Sequence, residues 1–367
     1  MRHSAGMRTP RRPVTASLYA AALLALSASF AATPVANAAP PDPAALEWSV
    51  QTVDADQSFR GLDAVDRDTA WVSGASVTGG AARVYLTTDG GDTWQDVSPP
   101  GSEGLNFRDV EARDARTASV LAIGEGEASR IYRTTDGGAT WTETFRNTAP
   151  TGFYNCMDFY PGGRRGLAVS DPVDGKFRIA ATDDGGETWQ VLPDAGMPDS
   201  TGEANFSASG DCLTISGSTA WFGSGGAQSR VFRSDDGGLT WTATDSTIPA
   251  GEAAGVFALA FDNPRTGVAV GGDFAAPTDG VDAVGVTRDG GRTWTSGGDL
   301  THLGEDAAYL RRWLVVVGEA GPVGGSSVST DGGASWTRFS DVGFHTLDCT
   351  NDGACWAAGG KGRVGTL

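Results

Sequence analysis

Lysine is almost missing from this 367-residue chain: Lys176 and Lys361 are the only two, and arginine supplies the rest of its 27 basic residues. Histidine is as scarce, with only His3, His302 and His345, which excludes a histidine-rich metal site. None of the four cysteines forms a C-x-x-C pair. The phosphate-cradling G-x-x-x-x-G-K-[ST] loop, the H-E-x-x-H zinc motif and the G-x-S-x-G nucleophile elbow are absent as well, so neither a cofactor nor a metal is expected. Positive charge is lacking overall. Four arginines (Arg2, Arg8, Arg11, Arg12) precede the first acidic residue, Asp42, and beyond residue 38 the chain sets 23 basic against 45 acidic residues, a net charge of −22. Such a polyanion does not bind nucleic acid or an anionic membrane surface through its charge. Long apolar runs are also missing. The one candidate, Ala16 to Ala32, is too short and too weakly apolar to span a bilayer comfortably. It follows the basic stretch and precedes Ala36-Asn37-Ala38, a small-x-small pattern. Residues 1–38 therefore read as a secretory signal peptide cleaved after Ala38, and residues 39–367 as an exported domain with no membrane insertion. Arg11-Arg12 also permits twin-arginine export, although Pro13-Val14-Thr15 after the pair fits general secretion better.

Against these absences stands one eight-residue phrase repeated six times. The copies run Thr87 to Trp94, Thr134 to Trp141, Thr182 to Trp189, Ser234 to Trp241, Thr287 to Trp294 and Ser329 to Trp336, each reading [ST]-x-D-x-G-x-[ST]-W. The tryptophans are spaced by 47, 48, 52, 53 and 42 residues, and self-similarity at such a period marks a repeat architecture. A β-rich segment precedes each phrase (Arg83-Val84-Tyr85-Leu86, Arg130-Ile131-Tyr132-Arg133) and another begins at its Trp. The phrase is then a hairpin turn: the Asp accepts backbone N–H groups, the Gly takes a conformation a side chain obstructs, and the Trp packs the hairpin base. Upstream lie two more strands, such as Phe59 to Val65 with Thr69 to Ser73, and Phe107 to Ala112 with Thr117 to Ala122.

Four strands per repeat around a ring give an all-β, seven-bladed β-propeller of four-stranded antiparallel blades. The seventh blade follows from the ends. After Trp336 only three strands fit, Phe344 to Cys349, Ala354 to Ala358 and Gly362 to Leu367, while Leu46-Glu47-Trp48-Ser49-Val50 reads like the strand that follows each turn and places Trp48 46 residues before Trp94. The N-terminal strand is expected to complete the last blade. Cys349 and Cys355 occupy positions that face each other across a first hairpin, so a disulfide there would staple the closing blade. Cys156 and Cys212 fall on inner strands of adjacent blades, where either a bridge or two buried thiols is consistent with the sequence. Gly360-Lys361-Gly362-Arg363-Val364-Gly365 matches G-x-G-x-x-G but opens no helix in a βαβ unit, and is read as a blade turn.

The six aspartates of the phrase, Asp89, Asp136, Asp184, Asp236, Asp289 and Asp331, tempt a catalytic reading. One carboxylate at the same peripheral turn of each blade cannot converge on one substrate, so they are assigned to structure. Binding is expected instead where inner strands begin, around the channel mouth. Those starts read Phe59-Arg60, Phe107-Arg108, Phe153-Tyr154, Val256-Phe257 and Phe344-His345. Arg60, Arg108, Tyr154 and His345 are thereby placed around one opening, the arginines either forming an anion or carboxylate site or pairing with acids such as Asp63 and Asp109. Two irregular insertions, Ser170 to Gly175 and Gly202 to Gly210, add Asp171, Glu203, Asn205 and Phe206 to the expected site.

The six turns resemble the Asp-box, or BNR repeat, and the whole chain after residue 38 resembles the photosystem II stability/assembly factor-like propellers. That resemblance implies a soluble, extracytoplasmic, monomeric protein that holds a protein partner, with Arg60 and Arg108 matching the family's arginine patch at two blades. Some bacterial relatives bear the name oxidoreductase, a label that no residue here supports. The competing reading is a carbohydrate-active enzyme, since sialidases and some glucan hydrolases share Asp-box propellers. It would need an arginine triad, a Tyr nucleophile and an acid/base carboxyl, and F/Y-R-I-P before the first turn is missing, with Phe177-Arg178-Ile179-Ala180 the nearest approach. The expectation is a non-catalytic binder of a protein or a small anionic or carbohydrate ligand, with a glycosidase as the alternative.

Overall fold

The structure, a computed structural model, describes Met1, residues 45–320 and residues 323–367. The expected signal peptide and its cleavage site lie outside the described residues. Within them, seven antiparallel sheets follow one another around a ring with four strands to each blade, the fifth blade's sheet being widened to six by Glu203–Ala204 and Gly225–Gly226, and the blades' first strands pack side by side at the centre. Blade 1 runs Gln57–Ala64, Ala70–Ser76, Arg83–Thr87 and Gln95–Asp96 from the inside outward, and blade 2 runs Phe107–Ala112, Ala118–Ala122, Arg130–Thr134 and Thr142–Arg146. Blades 3 to 6 begin at Tyr154–Phe159, Leu213–Ser216, Ala254–Asn263 and Asp306–Leu310. Second strands such as Ala118–Ala122 and Thr219–Gly223 are buried throughout, because a neighbouring blade covers each face. Their sequences are accordingly unbroken apolar or small runs rather than alternating ones. The core lies between blades: Trp71 and Val84 of blade 1 share one cluster with Phe107, Val110 and Val120 of blade 2.

Blade 7 is closed as the tryptophan spacing requires. Its inner strands are Thr346–Cys349, Cys355–Ala358 and Arg363–Thr366, and its outermost strand is Ser49–Thr52, with Val50 opposite Gly365. Trp48 anchors the closure, packing edge-on to Phe344 and donating from Nε1 to Ser326 Oγ of blade 6 at 2.9 Å. The G-x-G-x-x-G stretch is the turn into the third strand. Gly362 is required there, since its φ is +63° and an added Cβ would fall 1.8 Å from the carbonyl oxygen of Asp54. Cys349 and Cys355 are register partners and bonded, and Cys156 and Cys212 are bonded too, tying blade 3 to blade 4. Two formed disulfides point to an oxidising environment.

The six repeated turns share one bonding pattern. Asp89 Oδ1 accepts Thr93 N–H and Thr87 Oγ1–H, Thr93 Oγ1 donates to Oδ2 at 2.5 Å, and Thr87 Oγ1 accepts Gly91 N–H at 3.0 Å. Asp136, Asp184, Asp236, Asp289 and Asp331 repeat it. Hydrogen bonds from the hydroxyl and amide of the Thr or Ser that precedes each Trp hold these carboxyls below the usual range, to about 2 at Asp289 and Asp331. Each turn joins the third and fourth strands of its own blade, so the six stay apart on the rim.

A second set of carboxylates, not assigned from sequence, lines the channel. Asp63 accepts Ala112 N–H of blade 2, Asp109 accepts Met157 N–H of blade 3, and Asp158 accepts Ile215 N–H of blade 4. Asp306 of blade 6 accepts Leu347 N–H of blade 7, and Asp348 of blade 7 accepts Ala64 N–H of blade 1. Burial raises all five, with mutual repulsion adding to Asp63 and Asp109, and lifts Asp158 and Asp306 to about 7.

Two outcomes follow from this architecture. Because these carboxyls are raised on folding, the native state holds protons that the unfolded chain releases between roughly pH 4 and pH 7, so stability falls as pH rises through that window. Denaturant unfolding at about pH 5 should exceed that at about pH 8 by at least about 1.4 kcal/mol, equivalent to a tenfold change in the proton affinity of a single carboxyl; a flat or rising profile would contradict the assignment. Trp48→Ala should lower the unfolding free energy by about 3–5 kcal/mol in the same assay, whereas a loss below about 1 kcal/mol would mean that the terminal strand does not hold the ring closed.

Candidate functional site

In blades 1, 2, 3 and 5 a buried residue near the start of the inner strand is followed by one that leaves the ladder. In blade 1 Phe59 pairs with Gly74 and Gly61 with Ser73, so Arg60 is a bulge residue. Arg108, Asn155 and Phe257 are skipped in the same way in blades 2, 3 and 5. A bulge frees a side chain from the alternation of the strand and re-aims it, and at the mouth of a propeller it aims it over the channel. Glu305 of blade 6 and His345 of blade 7 enter from just ahead of their inner strands. Together these six residues line a mouth cavity of about 1180 Å³.

Of the residues expected from sequence, Arg60, Arg108, Asp171, Asn205, Phe206 and His345 line this cavity. Tyr154 and Glu203 do not. Tyr154 is the buried aromatic of its blade, packed edge-on to Phe145 at 4.9 Å; it aligns with Phe59 and Phe107, and Asn155 takes the place of the arginines. A one-residue slip in an inner strand exchanges its two faces, and that slip misassigned Tyr154. Glu203 is buried and bound to Arg230 and to Ser224 Oγ, a packing role that orders the start of its insertion. Asn155 and Glu305 were missed. The signal for Asn155 was an aromatic followed by a polar residue, as in Phe59-Arg60; Glu305 sits in a stretch, Leu303-Gly304-Glu305, with no aromatic to mark the register.

The mouth has two halves. On one side Glu305 collects three donors: His345 Nδ1–H at 2.9 Å, Glu319 N–H at 2.7 Å and Arg60 at 3.3 Å. Burial alone would raise its carboxyl, but the charges of His345 and Arg60 outweigh this and leave it below the usual range. Glu319 continues the chain of ion pairs to Arg363 at 2.6 Å. On the other side the wall is apolar, formed by Phe153, Phe257, Phe274, Pro277 and Leu303, with Phe274 53 % exposed.

Between the halves lies the insertion itself. Arg60 donates to the Ala208 carbonyl at 2.6 Å and Arg108 to the Ser207 carbonyl at 2.5 Å. Neither arginine pairs with Asp63 or Asp109; both reach across the ring to main-chain oxygens. Asp171 accepts Asn205 N–H at 2.8 Å and Asn155 Nδ2–H at 2.9 Å, and burial raises its carboxyl to about 6. No group of three or more His, Cys, Asp or Glu among the described residues is placed to hold a metal ion.

Comparison with known proteins bears on the fold. Neither a protein-family model nor a curated protein matches the sequence. Among solved structures, YCF48 bound to D1 peptide has a TM-score of 0.61 at 17% identity, over 89% of this chain and 95% of that one. YCF48 from Cyanidioschyzon merolae has a TM-score of 0.59 at 16% identity, over 87% and 98%. A streptogramin B lyase is as similar, at 0.59 and 12% identity, over 87% and 97%. The shared property is the seven-bladed fold, which serves a peptide binder and a lyase alike, so function must be argued from the site.

Glu305 is the group on which the ionic half depends. Glu305→Ala takes the carboxylate from His345 and leaves Arg60 with the Ala208 carbonyl alone, and should lower the unfolding free energy by about 2 kcal/mol, discounted for the partial exposure of Arg60. Denaturant titration of the purified variant checks this, and an unchanged midpoint would mean that the cluster contributes nothing to the ring.

Proposed function

We propose that this protein is an exported, non-catalytic propeller that holds a protein partner by taking an extended segment into the channel mouth. The observation that carries this reading is the composition of the mouth: a broad cavity with an apolar wall, exposed at Phe274, on one side and an ordered ionic network on the other. A wall of this kind suits peptide side chains, and fixed donors beside it suit a peptide backbone. A solved propeller of the same fold, YCF48, is described as bound to a peptide. Export is supported by the arginine-led apolar stretch ending at Ala36-Asn37-Ala38 and by the two disulfides, and the arginines at the mouth extend the range of ligands to small anions.

The test replaces exposed mouth residues, whose loss does not disturb the core. Val77 and Phe274 line the cavity and are 59% and 53% exposed. Peptides selected on the wild-type protein from a random-peptide display library should bind the Phe274→Asp, Val77→Asp double variant at least about tenfold more weakly, a change of about 1.4 kcal/mol. Equal binding would place the interaction elsewhere. A panel of fluorogenic glycosides serves as the counter-test, and turnover abolished by Asp171→Asn or Arg60→Ala would replace this reading by the glycosidase one.

A further inference from the structure

The mouth already contains a peptide, and it belongs to the chain itself. The segment Asn205–Ser209 pairs with no strand of any blade, yet it is bound residue by residue. Asn205 is fixed through Asp171 and by donation from its own Nδ2 to the Gly223 carbonyl at 2.7 Å. The Phe206 ring sits edge-on between Phe257 and Phe274, at 5.7 and 6.0 Å. Ser207 Oγ donates to Asn155 Oδ1 at 3.0 Å. The next two main-chain carbonyls, of Ser207 and Ala208, are the ones taken by Arg108 and Arg60.

These contacts use the bulge residues of blades 1, 2, 3 and 5, the same side chains that make the mouth a site. The arginines are thus carbonyl receptors here, not a carboxylate clamp: they bind uncharged backbone, and Glu305 already supplies their neighbourhood with negative charge. Both ends of the segment are tethered, by Glu203 to Arg230 on one side and by the Cys156–Cys212 bridge on the other. Its middle is not. Phe206, Ser207 and Ala208 are only partly buried and are held by mouth groups and by packing of the Phe206 ring over Gly225.

We propose that Asn205–Ser209 is a resident occupant of the peptide site, displaced by a partner segment of the same chemistry: an extended stretch with an aromatic residue followed by two small residues, whose main-chain carbonyls replace those of Ser207 and Ala208. This inference rests on the mouth being the binding site. A partner competes with an intramolecular rival of high effective concentration, so only a segment that fits the aromatic wall and both arginines dislodges it. The tethers return the segment when the partner leaves.

The probe is a fluorescein-labelled peptide of the strap sequence, Glu-Ala-Asn-Phe-Ser-Ala-Ser, titrated by anisotropy into the full chain. Loosening the resident segment with Phe206→Ala and Ser207→Ala should tighten binding of the probe at least about tenfold over wild type. Adding Arg60→Ala or Arg108→Ala to that background should reverse the gain, as should a probe with Ala in place of its Phe. A folded Phe206→Ala, Ser207→Ala protein that takes up the probe no better than wild type overturns the proposal. Hydrogen exchange tests the same point on the wild-type protein, with no variant needed: amides of 207–210 should exchange faster than those of the blades, and faster still with saturating probe, whereas exchange only through global unfolding would make the segment a permanent wall. If library peptides lose affinity for the Phe274→Asp, Val77→Asp protein while loosening has no effect, the mouth is a binding site and only the displacement mechanism fails. If the mouth variants bind normally, the site itself is misplaced.

Discussion

One contact repeats around the channel and the ring depends on it: a buried aspartate on the inner strand of one blade accepts a backbone N–H from the inner strand of the next. Adjacent blades meet mainly through side-chain packing, with a short ladder link from blade 4 to blade 5 where Gly225 lies opposite Gly255, so inner-strand amides elsewhere lack a ladder partner. A buried amide left unpaired is costly, and the carboxylates of Asp63, Asp109, Asp158, Asp306 and Asp348 satisfy those amides at five of the seven junctions. Concentrating acids around one axis carries its own penalty, visible in their raised affinity for protons.

That arrangement explains why the mouth looks as it does. Where the inner strands emerge from the acid-lined channel, a bulge in blades 1, 2, 3 and 5, or the residue just ahead of the strand in blades 6 and 7, turns one side chain out of the ladder. Its identity varies because the repeated aspartate-to-amide bond does not use it, although Glu305 links blade 6 to blades 7 and 1 through His345 and Arg60. Arg60, Arg108, Asn155, Phe257, Glu305 and His345 are consequently as different as residues at equivalent positions can be, while the aspartates below them recur. Repetition builds the scaffold, and the exceptions to it build the site.

Much of the fold was legible because local chemistry and global topology agree. The Asp–Gly turns, the Trp that follows them and the stray strand around Trp48 each specify their own place, and together they count seven blades. The Cys349–Cys355 pairing was legible for the same reason, since two residues opposite in a short hairpin need no tertiary knowledge. The site was legible where an aromatic marked the register, as at Arg60, Arg108 and His345, and where an irregular insertion broke the repeat, as at Asp171, Asn205 and Phe206. In blade 3 two aromatics, Phe153 and Tyr154, stand side by side and the pattern could not say which was buried. The channel aspartates were visible as an aromatic-x-x-x-Asp spacing (Phe59 to Asp63, Tyr154 to Asp158, Phe344 to Asp348). Their function lies in bonds to residues far along the chain, 49 positions away at Asp63 and Ala112 and 284 at Asp348 and Ala64, which no local reading contains.

The arginines illustrate the difference between placing a residue and knowing its partner. Sequence put Arg60 and Arg108 at one opening, and that is where they are; it left them to choose between an external anion and acids on their own strands. The structure shows a third arrangement, in which each guanidinium donates to a carbonyl of a segment 99 and 148 residues further along the chain from Arg108 and Arg60, while Arg60 also pairs with Glu305. A guanidinium is weakly hydrated and planar, so it donates to neutral backbone oxygens when a wall beside it fixes the peptide. Binding at this mouth is then governed by how well a chain lies along the aromatic wall, and charge serves to hold the carbonyls in register.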